Sequence, residues 1–167
     1  GEPLMQIDAC EKILKILKRH GINTAVDTCG YASKENIDRI LPYTDTFLYD
    51  IKAIDEDVHI KCTGKSNKII LENLKYIDSK NKRIEIRIPF IPNENLKELE
   101  NIGEFILTLK NVVRVRVLPY HSLGANKYRC LGMDYSGKDI PVPTNKETDN
   151  AVTTLRNMGI NAMRSED

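Results

Sequence analysis

The residue types that can do chemistry fall in a few short segments. Asp50 and Lys52 stand two apart in TFLYDIK. On an extended strand such a pair points to one face, and Leu48 shares it. A carboxylate beside an ammonium can grip a zwitterion. Taken alone, the pair fits better with a local ion pair at a solvated strand end. Asp27-Thr28 ends another extended run, where a lone Asp usually serves as a turn cap. Arg87 lies in KRIEIRIPF, within reach of Glu85 or Asp50 as an ion-pair partner. His121 follows Pro119 in a loop, where a single histidine is ordinarily just solvated. Arg114 and Arg116 alternate with valines, and strict parity sets them opposite His121 unless Pro119 bends the strand. His20 and His59 read as helix-surface residues. Cys10, Cys29, Cys62 and Cys130 are scattered without a C-x-x-C pair, which argues against zinc or an ordinary cluster site. They read as free thiols in a reducing cytosol.

The elements that must position these groups follow from hydrophobic period. Ile7, Cys10, Ile13, Leu14 and Leu17 make residues 5–20 an amphipathic helix stopped by Gly21. Strands are expected at 23–28, 46–51, 82–90 and 112–118, with helices at 33–41, 55–62, 66–79 and 95–109 between them. Ser33 is the expected cap of the 33–41 helix. Residues 120–143, rich in Gly, Pro and polar side chains, read as a long loop. A final helix covers 144–159, capped by Thr144, with Gly159 at its end. A helix followed by strand and helix four times predicts one α/β domain over 1–167, a parallel sheet with helices packed on it. Four strands do not close a barrel. The leading helix has no strand before it and Gly1 is not an initiator Met, so the chain is expected to be cut from a longer protein. Ligands of such folds sit at the carboxyl ends of the strands. Asp27-Thr28, Asp50-Ile51-Lys52, Arg87, Tyr120-His121 and the leading Gly1-Glu2-Pro3 recur there.

Composition removes several classes. Lys and Arg total 25 against 24 Asp and Glu, which gives no electrostatic reason for nucleic acid or an anionic membrane as partner. Aromatics are 6% with no Trp, too few for stacking platforms. No apolar stretch approaches the roughly 18 residues of a membrane span, and there is no signal-peptide pattern.

Six segments occur in order: GEPLMQ, TAVDTCGY, FLYDIK, HIKCTGKSN, IRIPFIP and VLPYHSLG. Together they resemble the activating enzymes of glycyl-radical enzymes, such as that of pyruvate formate-lyase, within the radical S-adenosylmethionine superfamily. DTCGY and LPYHSLG are the most specific pair, and the likeness runs on into KYRCLGMDY and PVPTNKE. The resemblance implies a partial parallel (β/α) barrel of the radical S-adenosylmethionine type, here reduced to about four strands. It implies that Gly1 and Glu2, similar to the end of a Gly-Gly-Glu motif, contact the methionine amino group of S-adenosylmethionine. Asp50, Ile51 and Lys52 would line the cofactor site, with Lys52 on the cofactor carboxylate, and His121 and Arg87 would join them. Asp27, Thr28, the backbone of Leu48 and Asp50 would hold a monovalent cation. In that family a reduced 4Fe–4S cluster, fed by a flavodoxin or ferredoxin-type donor, cleaves the sulfonium. The resulting 5′-deoxyadenosyl radical takes a hydrogen atom from a glycine of the partner enzyme, in the cytoplasm. The family's C-x-x-x-C-x-x-C motif has no counterpart among this chain's cysteines, so the chain as it stands is expected to be inactive. It is also expected to expose apolar surface along an unpaired strand. A radical enzyme with another partner or a small-molecule substrate, and a non-enzymatic scaffold, remain as alternatives.

Overall fold

Ile84, Ile86 and Ile88 alternate with Glu85 and Arg87, and Val115 and Val117 alternate with Arg114 and Arg116. Each run can bury one face only if it is extended. The computed structural model of the protein describes residues 2–134, 137 and 140–165. It contains β1 (Ala25–Thr28), β2 (Thr46–Asp50), β3 (Arg83–Phe90), β4 (Val112–Pro119) and β5 (Ala162–Arg164). All pair in parallel, in the order β1-β2-β3-β4-β5. The helices are α1 (Ile7–Arg19), α2 (Lys34–Ile40), α3 (Glu56–Thr63), α4 (Lys68–Ser79), α5 (Pro92–Asn95), α6 (Glu98–Leu107), α7 (Ala125–Cys130) and α8 (Asn145–Asn157). None among the described residues is long and apolar enough to cross a membrane.

Right-handed crossovers between strands in sequential order carry the connecting helices to one side of the sheet. Burial follows. Val26, Phe47, Tyr49, Ile84, Ile86, Ile88, Val115 and Val117 are buried with Ile37, Leu74, Ile77, Ile102 and Leu155 of the helices. Their neighbours along the strands, Asp27, Leu48, Asp50, Glu85, Arg87, Arg114 and Arg116, stay at least partly exposed on the other face. Pairing aligns these into two rows. Asp27, Leu48, Glu85 and Arg114 form the lower one, and Asp50, Arg87, Arg116 and Met163 the upper.

Local signals end the elements as expected at several points. Ser33 Oγ accepts from the Asn36 amide at 3.3 Å. Thr144 and Glu147 form a reciprocal capping box on α8. Gly64 closes α3 in the left-handed conformation, φ 73°.

Four expectations need correction. A fifth strand follows α8. Its three residues have no periodicity of their own and are held by the edge of β4, through Val115 N to Asn161 O at 2.9 Å and Ser165 N to Val117 O at 3.2 Å. The first helix is preceded by a separate 3-10 turn over Pro3–Gln6. The helix expected over 95–109 is α6, Glu98–Leu107, and a separate short helix, α5 (Pro92–Asn95), precedes it. The stretch 120–143 contains a 3-10 turn at Ser122–Gly124 and α7, while residues 135, 136, 138 and 139 lie outside the described set. Along the β1 edge runs an apolar groove of about 550 Å³ lined by Cys10, Ile13, Leu14, Leu17 and Val26 among others.

Gly30 follows β1 with φ +72°, and a Cβ there would overlap the Tyr49 hydroxyl. Tyr49 is fully buried and donates to Ile70 O at 2.7 Å, so it has no room to move. Gly30→Ala is expected to cost about 3 kcal/mol, lowering the melting temperature by roughly 10 °C in a circular-dichroism melt. Gly64→Ala, with open space around it, should cost only about 1 kcal/mol. Equal melting of the two variants would contradict the Gly30–Tyr49 contact.

Candidate functional site

Asp50 closes β2, opposite Arg87 on β3. The next residue still follows β3, with Ile51 N donating to Arg87 O at 2.9 Å. This brings Lys52 Nζ to 3.6 Å from Asp50 Oδ2, and Arg87 Nε lies 3.9 Å from Asp50 Oδ1. Arg87 Nη1 pairs with Asp27 Oδ2 across β2. Four charged side chains from three neighbouring strands thus meet on the open face. Glu85 is not the partner of Arg87; it bonds Arg114 and Arg116 instead.

Asp50 Oδ1 is buried and has no hydrogen-bond partner among the described residues. Burial pushes the Asp50 carboxyl above its ordinary range, and the Lys52 and Arg87 cations offset only part of this. A buried acceptor without a donor is costly, and a cationic group entering from the open face would satisfy it.

The backbone carrying Lys52 is clamped by three buried polar side chains. Asn95 Nδ2 donates to Lys52 O at 3.1 Å and Pro89 O at 2.6 Å, while its Oδ1 accepts from Ile91 N at 2.8 Å. Asn67 Nδ2 donates to Ala53 O at 3.0 Å and Ile54 O at 2.8 Å. Glu98 Oε2 accepts from Ile54 N and Asp55 N, each at 2.8 Å. Sequence reasoning passed over all three. Their only signal was a polar residue at the start of an apolar helical pattern.

Glu2 is committed to the end of β1. Its Oε1 accepts from Thr28 Oγ1 at 2.6 Å and Leu4 N at 3.1 Å, and Oε2 accepts from Cys29 N at 2.9 Å. Burial opposes its ionisation, but the Thr28, Cys29 and Leu4 donors outweigh this and hold the carboxyl below its usual range. Glu2, Asp27, Thr28, Cys29 and Asp50 line one opening of about 300 Å³. The expected residues are therefore brought together unevenly. Asp27, Leu48, Asp50 and Arg87 share the open face. Thr28 turns its side chain to the covered face, where its Oγ1 also accepts from Gly30 N at 2.9 Å. His121 is exposed beyond the end of β4, and Gly1 lies outside the described residues. His59 is not a surface residue. It is 3% exposed, with Nδ1 at 2.8 Å from Lys65 O.

All four cysteines are free. Among the described residues no three His, Cys, Asp or Glu side chains converge to hold a metal ion. A 4Fe–4S cluster therefore does not fit this chain's own cysteines. A zwitterion does fit the unpartnered Asp50 oxygen beside Lys52 and Arg87.

A sequentially wound parallel sheet with helices on one side defines an α/β fold of the partial-barrel class. The Radical SAM superfamily pattern matches residues 1–106, and the chain belongs to that superfamily. It is 42% identical over 155 residues to the trans-4-hydroxy-L-proline dehydratase activating enzyme of Clostridioides difficile, covering 89% of this chain and 51% of that protein. It is 35% identical over 161 residues to the choline trimethylamine-lyase activating enzyme of Oleidesulfovibrio alaskensis, covering 93% and 52%. The chain thus spans about half the length of these curated relatives. The crystal structure of a domain of pyruvate-formate lyase-activating enzyme from Bacteroides vulgatus superposes with TM-score 0.81 at 27% identity, covering 99% of this chain and 94% of that one.

Because the folded Glu2 carboxyl titrates below its unfolded value, its contribution to stability is present above the unfolded carboxylate range and is lost as pH falls through the folded value. Glu2→Gln should cost about 1 kcal/mol at pH 7, roughly 3 °C in melting temperature, with the gap closing on acidification. A deficit independent of pH would mean that packing, not the charge-assisted bonds, holds the turn.

Proposed function

We propose that this chain is the cofactor-holding portion of a glycyl-radical-enzyme activating enzyme and binds S-adenosylmethionine at the carboxyl ends of β1–β3. The observation that carries this reading is the buried, unpartnered Asp50 Oδ1 between Lys52 and Arg87. S-adenosylmethionine presents a cationic amine and a carboxylate at one end. Lys52 takes the carboxylate, and Arg87, locked by Asp27, stands beside it. Gly1, the Glu2 backbone, Ile51 and His121 complete the contacts that the family resemblance assigns. Asp50 Oδ1 accepts a cation there. This is either the ligand's own amine or a monovalent ion shared with Asp27 and the Leu48 carbonyl, whose oxygens suit a hard cation; the Thr28 hydroxyl, which the resemblance adds to that set, is committed to Glu2 and Gly30 on the covered face.

When bound and reductively cleaved, S-adenosylmethionine supplies a 5′-deoxyadenosyl radical able to abstract a hydrogen atom. This chain's residues orient the cofactor and present it to the open face of the sheet. Two relatives are activating enzymes of trans-4-hydroxy-L-proline dehydratase and of choline trimethylamine-lyase. The partner is accordingly a glycyl-radical enzyme offering a glycine segment at that face. A flavodoxin or ferredoxin-type protein supplies the electron, in a cytoplasmic setting where thiols stay reduced. With no cysteine set for a cluster, the chain alone should release no 5′-deoxyadenosine.

Equilibrium dialysis with labelled S-adenosylmethionine tests the site. Lys52→Met and Asp50→Asn should each weaken binding about tenfold or more, the size of a lost charge-assisted bond. Replacing potassium by choline in the buffer should weaken wild-type binding only if a monovalent ion is the cation at Asp50. Wild-type affinity in Lys52→Met, or no binding by the wild type, would overturn the reading.

A further inference from the structure

The open face carries a second charged cluster that the cofactor reading leaves unused. Glu85 on β3, with its side chain only 14% exposed, bridges two arginines of β4, with Oε2 at 3.1 Å from Arg114 Nε and Oε1 at 2.9 Å from Arg116 Nε. The arginine side chains are 33% and 21% exposed. Arg116 stands beside Arg87 in the upper row, so the cluster lies on the same face as Asp50 and Lys52.

Two cations share one carboxylate, which among the described residues leaves a net positive charge in a half-buried place. Neutralising Glu85 needs only one guanidinium, so the second is surplus to an internal ion pair. Each guanidinium carries five N–H donors in a planar fork. Glu85 takes only Nε from each. Arg116 Nη1 reaches the carbonyls of Arg164 and Ser165 at 3.3 Å each, which are long bonds. The terminal nitrogens of Arg114 meet no acceptor among the described residues. A planar fork of N–H donors matches the two oxygens of a carboxylate. Phosphate sites usually recruit backbone amides at a helix N-terminus or glycine-rich loop. Here the β4 backbone is engaged on both sides, by β3 and by β5.

The surroundings narrow the ligand further. Leu118, two residues beyond Arg116, and Met163, opposite Arg116 on β5, are apolar and half-buried on this face. A carboxylate flanked by apolar side chains is the pattern of an acidic residue within a peptide, not of a small free acid. We propose that Arg114 and Arg116, held by Glu85, anchor a side-chain carboxylate of the polypeptide substrate, with Leu118 and Met163 taking its apolar neighbours. This rests on the activating-enzyme reading, which brings a polypeptide to this face.

The test titrates the chain with two capped peptides, Ac-Gly-Val-Glu-Val-Gly-NH2 and its Gln counterpart. The side-chain Nε–Hε signals of the arginines are followed by ¹⁵N NMR, assigned with Arg114→Lys and Arg116→Lys, and these variants are checked for folding by their melts. The Glu peptide should shift the Arg114 and Arg116 signals while leaving Arg87 unmoved, and should bind about fivefold tighter than the Gln peptide. Arg114→Lys, which keeps the charge but not the fork, should abolish that preference while S-adenosylmethionine binds within about twofold of wild type. The peptide comparison on the wild type needs no variant. Equal binding of the two peptides overturns the proposal, as does a preference that survives both Lys variants, or inorganic phosphate shifting the same two signals as strongly. A retained Glu preference without S-adenosylmethionine binding would support the anchor and sink the cofactor reading. Cofactor binding without the preference would do the reverse.

Discussion

The structure depends on one constraint of parallel sheets. Strands that follow one another in space as they do in sequence, joined by crossovers of one hand, collect the connecting helices on one side. That side takes the buried Ile, Val, Phe and Tyr residues of β1–β4 and Ala162 of β5 and packs them against α1, α2, α4, α6 and α8. The other side is relieved of core duty. It can therefore carry Asp27, Asp50, Glu85, Arg87, Arg114 and Arg116 without desolvating them fully. Registered pairing then fixes which charges meet, because residues opposite each other in parallel strands project to the same face.

Charge is distributed unevenly along the open face. Toward β1–β3, Asp27 and Asp50 balance Arg87 and Lys52, yet one Asp50 oxygen is left without a donor. Toward β4, Glu85 is outnumbered by two arginines. The first half suits a ligand that carries both signs, and the second an anion. Neither half is arranged as a stability device. Partly exposed ion pairs of this kind contribute on the order of 0–1 kcal/mol, while a buried acceptor with no partner costs more than that.

Precision at the strand ends comes from buried polar side chains on the helices. Asn67, Asn95 and Glu98 together bond the backbone from Lys52 to Asp55. Asn73 Nδ2 holds the turn after β1 through Gly30 O at 2.9 Å and Ala32 O at 2.8 Å. Asp78 accepts from Lys110 N and Asn111 N and joins the end of α4 to the start of β4. In a low-dielectric interior such bonds resist rearrangement. The segment after β2 that carries Lys52 is thereby tied to the elements beside it.

Hydrophobic period and turn chemistry, local properties of the chain, were enough to set the order of the first four strands and the main helices between them, the parallel class and the ends of helices such as Ser33 and Thr144. They also marked Asp50 and Lys52 as neighbours, because period 2 on a strand is a local rule. Tertiary structure decided the rest. Arg87 chose Asp27 over Glu85, a pairing across two strand boundaries that no spacing along the chain encodes. Thr28 and Glu2 turned to each other, and His59 went inside, because burial depends on what packs against a residue and not on its neighbours in sequence. The fifth strand exists because β4 offers an unpaired edge to three residues with no pattern of their own. Those outcomes are contacts between segments far apart in the chain. A sequence specifies them only through the whole packed fold, since the energy that selects them is not present until the sheet has assembled.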